Sequence, residues 1–263
     1  AISTVRSPYV VAADGSRSFI RRWLGIAMDG PDDLGSRNLI AFRADLESYA
    51  GQRPRGMYFL TDSGAVLFST HPDSRWVIDV PDEGDTLDPC GTVRRVTGIP
   101  NLDVEVLAAS RWTAAARTAV AYSADRILLI GDAAHQAPPL GATGVSTALA
   151  DAHNLAWKLA HVVKGLAAPS LLQSYDAERA PIARQIVERA NLSIAETGKI
   201  LEALDLTDTS DPARLEERLA ARRAPGPDGA RTRAAMREAI AAKSFEFNAH
   251  GVEHNQRYAS AAV

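Results

Sequence analysis

Two pairings of aspartate with glycine, each closing a short apolar run, are the residues of this chain most able to hold a ligand. In the second of them Ile127-Leu128-Leu129-Ile130 leads into Gly131-Asp132, and a loop follows that contains Pro138-Pro139-Leu140-Gly141-Ala142-Thr143-Gly144. From about Val145 the period changes: Val145, Leu149, Ala152, Leu155, Leu159 and Val162 recur at helical spacing. Strand, Gly-rich loop and helix start is how open α/β sheets build a site, with the ligand beyond the carboxyl end of the strand and facing the helix N-terminus. The strand-end group here is the Asp132 carboxylate. It accepts hydrogen bonds, so it suits a hydroxyl-rich ligand such as a ribityl or ribose chain better than a phosphate.

The first pairing, Asp14-Gly15, follows the apolar run Tyr9 to Ala13 and precedes Ser16-Arg17-Ser18 and a short helical piece, Phe19 to Leu24. Asp14 and Ser16 can accept bonds from exposed backbone amides, and Gly15 permits a turn or the close approach of a ligand. A plain capped turn is the competing reading of this junction.

The elements that must position these groups fall into three stretches. Short strand-like runs fill the region from Leu39 to about Tyr122: Leu39 to Ala44, Gly56 to Leu60, Ala65 to Ser69, Trp76 to Val80, Ala109 to Trp112 and Ala119 to Tyr122, with a helical piece from Thr92 to Val96. Asp-Ser-Gly and His-Pro-Asp turns between them argue for an antiparallel sheet inserted between two α/β pieces. Met57, Tyr58, Phe59, Phe68 and Trp76 are candidates for an apolar wall there, although alternation sends about half of such residues to the other face. Past the central helix, Lys164-Gly165 is a stop signal. Ser170 is placed to cap a further helix that Pro181 should interrupt or kink. The charges from Arg214 to Arg223 read as a solvated helix face, and Arg231 to Phe247 as a last helix. The fold class is therefore α/β with an α+β insert: residues 1–30 and 123–205 form one discontinuous domain, residues 31–122 an inserted and mainly antiparallel sheet domain, and residues 206–263 a helical C-terminal segment.

Composition excludes several classes. With 263 residues, 46% hydrophobic and a net charge of −3, the chain can bury a core and offers no general electrostatic case for nucleic acid or an anionic membrane. No run of about 18 uncharged apolar residues is present, so no transmembrane helix is expected. One cysteine, Cys90, excludes an internal disulfide framework and suits a reducing cytoplasm. Among the histidines, His135 beside the loop could serve as acid, base or packing. His153 and His161 share a helix face but lack a third ligand. His250 and His254 in HGVEH have the spacing of a helical zinc pair, yet Glu253 is on the wrong side of it and Gly251 weakens the helix, so no metal is expected.

Taken together, the two junctions resemble the class A flavin-dependent aromatic hydroxylases, typified by p-hydroxybenzoate and phenol hydroxylases. YVVAADGSRSFIRRWLGI is similar to the family's Asp-Gly motif and RILLIGDAAHQAPPLGATGVSTALADAHNLAWKLA to its Gly-Asp motif; the likeness continues through SYDAERAPIA. HGVEHNQRYASAAV resembles the segment preceding a C-terminal thioredoxin-like domain in phenol- and dichlorophenol-type members. The resemblance implies FAD and NAD(P)H as cofactors, a small aromatic substrate and O2 as partners, and oxygen transfer from a flavin C4a-hydroperoxide to a phenolic or polycyclic ring; the alternatives are Baeyer–Villiger, epoxidase or oxidase chemistry on the same fold, or an inactive fragment that needs a missing N-terminal portion to bind FAD. It implies cofactor contacts at Asp14, Gly15, Arg21, Gly131, Asp132, Pro139, Gly141, Ala142, Thr143, Gly144, Val145 and Ser146, with Asp132 on the ribityl chain, Asp14 and Arg21 on the FAD and nicotinamide path, and Pro139 also catalytic through its place beside the flavin ring. A homo-oligomer is compatible with the same reading. Two departures stand out. The family's opening Gly-x-Gly-x-x-Gly unit does not occur, so the sequence reads as a fragment lacking about 150 residues, a domain-scale length. Ser146 stands where relatives usually have Asn, and Ala148 where Gly is common; Ser146 can still cap the helix.

Overall fold

Two apolar runs more than a hundred residues apart in the chain lie side by side in the computed structural model, which describes residues 3–49, 56–60, 63–71, 73–139, 141, 143–205, 212–248, 252 and 256–262. The chain divides into two units, Ala1–Leu34, Ala115–Lys199 and Ala239–Val263 forming one and Gly35–Ala114 with Ile200–Glu238 the other. In chain order the first unit opens with β1 (Val10–Ala12), α1 (Phe19–Trp23) and β2 (Met28–Asp29). The second contributes β3 (Ser36–Arg43), β4 (Met57–Leu60), β5 (Ala65–His71), β6 (Arg75–Pro81), α2 (Pro89–Thr97) and β7 (Glu105–Thr113). The chain then returns to the first unit through β8 (Arg117–Ala119), β9 (Ser123–Ala124), β10 (Ile127–Leu129), β11 (His135–Gln136) and α3 (Gly144–Val163). The helices that follow are α4 (Gln173–Ala203), α5 (Pro212–Arg223), α6 (Pro227–Ala242) and α7 (Ser244–Phe247).

In the first unit β1 runs parallel to β10, pairing Val10 with Ile127 and Ala12 with Leu129, while β9 lies antiparallel on the far side of β10. A parallel pair needs a long crossover, and here that crossover carries the whole inserted sheet. β10 is the buried strand its run of apolar residues implies, with Leu128 and Leu129 fully covered. β1 is an edge strand, and only its Ala12 is buried; Val10 and Val11 are partly exposed despite the apolar run they belong to. A second small sheet, β11-β8-β2, is antiparallel. Tyr122, Leu128, Leu129, Leu155 and Tyr175 centre the core, and the Tyr175 hydroxyl donates to the Leu129 carbonyl at 2.7 Å.

The second unit is the expected antiparallel insert, with strand order β4-β5-β6-β3-β7. Alternation sends Ile40, Phe42, Leu67, Trp76, Ile78 and Val80 to one face, where Val93 and Val96 of α2 cover them. Its limits differ from those read in the sequence. Residues 115–122 belong to the first unit, because β8 pairs with β2 and β11 there, and the C-terminal segment is shared between the units at Glu238.

α4 runs from Gln173 to Ala203 through Pro181 without the interruption that is one of the two outcomes expected there. Proline forfeits one helical hydrogen bond, but Pro181 is on the exposed side and its neighbours Ala180, Ile182 and Ala183 are all buried. Packing outweighs the local defect. Ser170 lies in a 3-10 turn, Pro169–Leu172, ahead of that helix. No described helix is long and apolar enough to cross a membrane.

Candidate functional site

The parallel pairing of β1 with β10 brings Asp14-Gly15 and Gly131-Asp132 to the same end of the same sheet. The Ile130 amide donates to the Ala12 carbonyl at 3.0 Å, so the strands stay paired up to the point where each turns away. After β1, Gly15 adopts a left-handed conformation with φ of 80°, one that favours glycine. Its carbonyl accepts from the Ser18 amide at 2.9 Å. Ser18 is the N-cap of α1, its hydroxyl accepting from the Arg21 amide at 2.9 Å, and the Asp14 carboxylate accepts from the Ile20 amide at 3.1 Å. Partial burial works against the charge of Asp14, but bonds from the Ser18 hydroxyl and the Ile20 and Phe19 amides outweigh it and hold the carboxyl below its ordinary range. Asp14 thus orders the turn and keeps an exposed, ionised face.

Arg21, expected on the cofactor path, points inward. It is 4% exposed; Nη1 donates to the Ala133 carbonyl at 2.8 Å and Nη2 to the Ser16 carbonyl at 3.1 Å. Burial, followed by the nearby Arg117 and Arg22, pushes its pKa down, yet an arginine remains charged at neutral pH. One guanidinium therefore ties the Asp-Gly turn to the Gly-Asp turn.

The second turn is a 3-10 segment, Gly131–Ala133, with Gly131 left-handed at φ 58° and Asp132 exposed. A Cβ at Gly131 would lie 3.1 Å from that of Ala148 on α3, so the Ala148 methyl fills the side on which a Gly131 side chain would stand. Beneath the turn lies a set of buried polar groups that the sequence reading passed over. Asp151 accepts from the Gly131 amide at 3.2 Å, from His135 Nε2 at 2.8 Å and from Arg179 Nε at 2.8 Å. Glu178 accepts from Lys158 Nζ and Asn154 Nδ2, both at 2.7 Å, and from the Ser260 hydroxyl at 2.8 Å. A carboxylate can only accept, so His135 carries its proton on Nε2; of its sequence readings, the geometry supports packing within a buried network.

These groups change the reading of α3. Its spacing is helical as expected, but Val145 and Leu149 are 75% and 66% exposed, whereas Thr147, Asp151, Asn154 and Lys158 are buried beside Leu155. The visible signal was charge inside the stripe: Asp151, Leu155 and Lys158 recur at helical spacing, and Glu178-Arg179 stands between Tyr175 and Ile182.

Of the Gly/Pro loop, Pro138 is buried and Pro139 exposed; Leu140 and Ala142 lie outside the described residues. Gly141 is left-handed at φ 85°, and a Cβ there would come within 2.9 Å of Arg189 Nη1. α3 begins at Gly144 with Thr143 as N-cap, without a side-chain cap bond. Ser146 is therefore inside the first turn and exposed, and does not cap. The amides of Gly144, Val145 and Ser146 belong to the turn whose N–H groups lack helical partners. An exposed carboxylate, two crowded glycines and a free helix end form a donor and acceptor set that fits a flavin dinucleotide.

No metal cluster occurs among the described residues; His250 and His254 lie outside them. His161 Nδ1 bonds the Trp157 carbonyl at 2.7 Å, and half-buried Cys90 sits 3.9 Å from the Val104 carbonyl. In the second unit, alternation separates the wall candidates. Trp76 and Tyr58 pack into the core on the α2 side, with ring centroids 6.3 Å apart. Met57 pairs with Phe68, and Phe59 shares their opposite face.

Burial would raise the pKa of Glu178, but the bonds from Lys158, Asn154 and Ser260 outweigh it and hold the group below its usual range. A depressed carboxyl stabilises the fold above its unfolded value, about 4.3, and loses that contribution as pH falls through the folded value. The melting temperature should therefore fall on acidification below about pH 5. Glu178→Gln should melt lower at neutral pH but along a flatter acid limb, which thermal scans from neutral to acid pH will check.

A family model described as an FAD binding domain matches residues 1–190. The chain is similar to 2,4-dichlorophenol 6-monooxygenase of Delftia acidovorans, 35% identical over 98% of this chain and 47% of that protein. It is also similar to phenol 2-monooxygenase of Pseudomonas sp. strain EST1001, 38% identical over 99% of this chain and 44% of that protein. Among solved structures, the flavin-dependent monooxygenase PieE, in complex with FAD and substrate, aligns with a TM-score of 0.88 at 34% identity, covering 98% of this chain and 47% of that one. The chain spans about half the length of the curated relatives it matches.

Proposed function

Because this chain belongs to the FAD binding domain family, we propose that it supplies one half of the FAD site of a monooxygenase that hydroxylates phenolic or polycyclic aromatic substrates with NAD(P)H and O2. The observation that carries this reading is the pairing of β1 with β10, which gathers two turns separated by more than a hundred residues at one sheet end, joined by Arg21. Relatives named for phenol and dichlorophenol oxygenation support the reaction class. FAD, when bound, supplies the redox chemistry that passes electrons from NAD(P)H to O2.

The residues of this chain bind and orient. Asp132 accepts bonds from the ribityl hydroxyls. The first-turn amides of α3, with the positive end of its dipole, stabilise negative charge on the reduced ring. Pro139 stiffens the loop at the ring, and Gly141 and Gly144 let the backbone approach. Asp14 presents its ionised face to the cofactor path, while Arg21 acts from behind by fixing both turns. On the second unit, the sheet face bearing Met57, Phe59 and Phe68 is the proposed substrate wall. A reducing, cytoplasmic setting and a homo-oligomeric state are part of the same proposal.

The test uses the full-length protein loaded with FAD, NAD(P)H as electron donor, a series of phenols and aryl ketones, and isotopically labelled O2. One labelled atom should appear as a new ring hydroxyl. Label in an ester or lactone would place the enzyme in Baeyer–Villiger chemistry, and an unlabelled product with stoichiometric peroxide would make it an oxidase; either outcome overturns hydroxylation.

A further inference from the structure

His135, Asp151, Lys158, Glu178 and Arg179 are buried in the first unit around the Gly131-Asp132 turn, none more than 3% exposed. They form two sets with different reach. Glu178, Lys158, Asn154 and Ser260 connect α3, α4 and the C-terminal segment and do not bond the turn. Asp151 does. Its Oδ2 holds the Gly131 amide and His135 Nε2, and its Oδ1 holds Arg179 Nε. Arg179 in turn donates Nη1 to the Tyr258 hydroxyl at 3.1 Å and to Gln256 Oε1 at 3.3 Å, and Nη2 to the Thr147 carbonyl at 3.3 Å.

A buried ion pair is weak evidence of stabilisation, because desolvation offsets most of the attraction and an apolar pair of similar size often serves as well. What an apolar pair cannot do is accept a backbone N–H. Gly131 sits where β10 has ended, in a left-handed conformation, and its amide is buried. Without Asp151 it would lack this acceptor, and a buried unmade bond is costly. The same carboxylate oxygen fixes His135 in β11, the strand that leaves the turn on its other side.

We propose that Asp151 is a positioning residue for the cofactor: it sets the Gly131-Asp132 turn from below, with Arg179 as its counter-ion and Tyr258 and Gln256 holding that guanidinium in place. The proposal rests on the FAD reading for its ligand but not for its geometry. In Asp151→Asn the amide NH2 must face a donor whichever way it turns, either Gly131 N–H or Arg179 Nε–H. In Asp151→Asn/Arg179→Met the second donor is gone, so the amide oxygen can return to Gly131. Lys158→Met/Glu178→Gln removes an equally buried pair that does not touch the turn.

Two readouts are taken on the full-length protein: amide exchange at Gly131 without ligand, and FAD affinity by flavin fluorescence titration, with melting temperatures alongside. Asp151→Asn should speed Gly131 exchange and weaken FAD binding, each by about tenfold or more, the lower range for removing a bond to a charged group. The Asp151/Arg179 pair should restore Gly131 protection, and the Lys158/Glu178 pair should leave exchange and affinity near those of the parent at whatever melting temperature it has. Gly131 protection and FAD affinity both unchanged in Asp151→Asn, or an equal loss of affinity in the Lys158/Glu178 pair, overturns the proposal. If Asp151→Asn does not fold, absence of Gly131 protection in the folded Asp151/Arg179 pair overturns it and its presence supports it. A parent chain that does not bind FAD counts against the FAD reading alone, since the exchange comparison still decides the turn.

Discussion

Asp132→Ala should weaken FAD binding by about 10- to 100-fold while leaving the melting temperature of the ligand-free protein nearly unchanged. The two halves of that expectation have separate causes. Asp132 is exposed at the strand end, and its carboxylate makes no hydrogen bond within the described residues. Its removal therefore costs the apo fold little, as for most surface substitutions. Bonds from ligand hydroxyls to an ionised carboxylate are worth about 1.5–3 kcal/mol each, which gives the range stated. Asp132→Asn should fall between, since an amide accepts but carries no charge. Dialysis of the flavin-loaded full-length protein, followed by its visible absorption, checks the prediction; flavin retained as in the parent would remove Asp132 from the site. Asp14→Ala should behave the other way round. Its carboxylate is engaged at the start of α1, so stability should fall by about 1 kcal/mol, as for a lost cap, and FAD affinity by less.

The contrast between these aspartates shows what the sequence could and could not disclose. Both turns were legible because glycine, proline and aspartate are placed by local backbone needs. Gly15 and Gly131 are indeed left-handed, and Gly165, φ 69°, ends α3 where Lys164-Gly165 said it would. The period of α3 was legible too. Which side of it is buried was not, because that depends on partners from elsewhere in the chain: Asp151 and Lys158 are buried by finding Arg179 and Glu178 on α4, and Val145 and Leu149 remain exposed. The burial of Arg21 was hidden for the same reason, its acceptor at Ala133 being 112 residues away. Tyr58 and Trp76 turn toward the core while Met57 and Phe59 do not, a choice set by strand register and α2 rather than by residue type. Pro181 shows the limit from the other direction, since a strong local signal gave way to buried neighbours on both sides.

Gly131→Ala is the most informative substitution at the turn, and its cost should depend on a residue 17 positions away on α3. Two terms act. An L-residue in the left-handed region costs about 1–2 kcal/mol, and Gly131 is at φ 58°. The new methyl would also stand 3.1 Å from the Ala148 Cβ, closer than ordinary packing allows, so the turn or the helix must shift. That shift would pull the Gly131 amide from Asp151. The sum, about 2–4 kcal/mol, corresponds to roughly 4–16 °C in melting temperature for a protein of this size. Ala148→Gly alone should cost about 1 kcal/mol, the usual penalty of glycine within a helix. In the double variant the steric term disappears and only the backbone terms remain, so the two substitutions should be less than additive by about 1 kcal/mol or more. Chemical denaturation of the four proteins measures this coupling. Additivity within about 0.5 kcal/mol would mean that the methyl groups do not meet. Flavin affinity should follow the same pattern, lost in Gly131→Ala and partly regained with Ala148→Gly, because the separation of turn and helix is what the pair of residues sets.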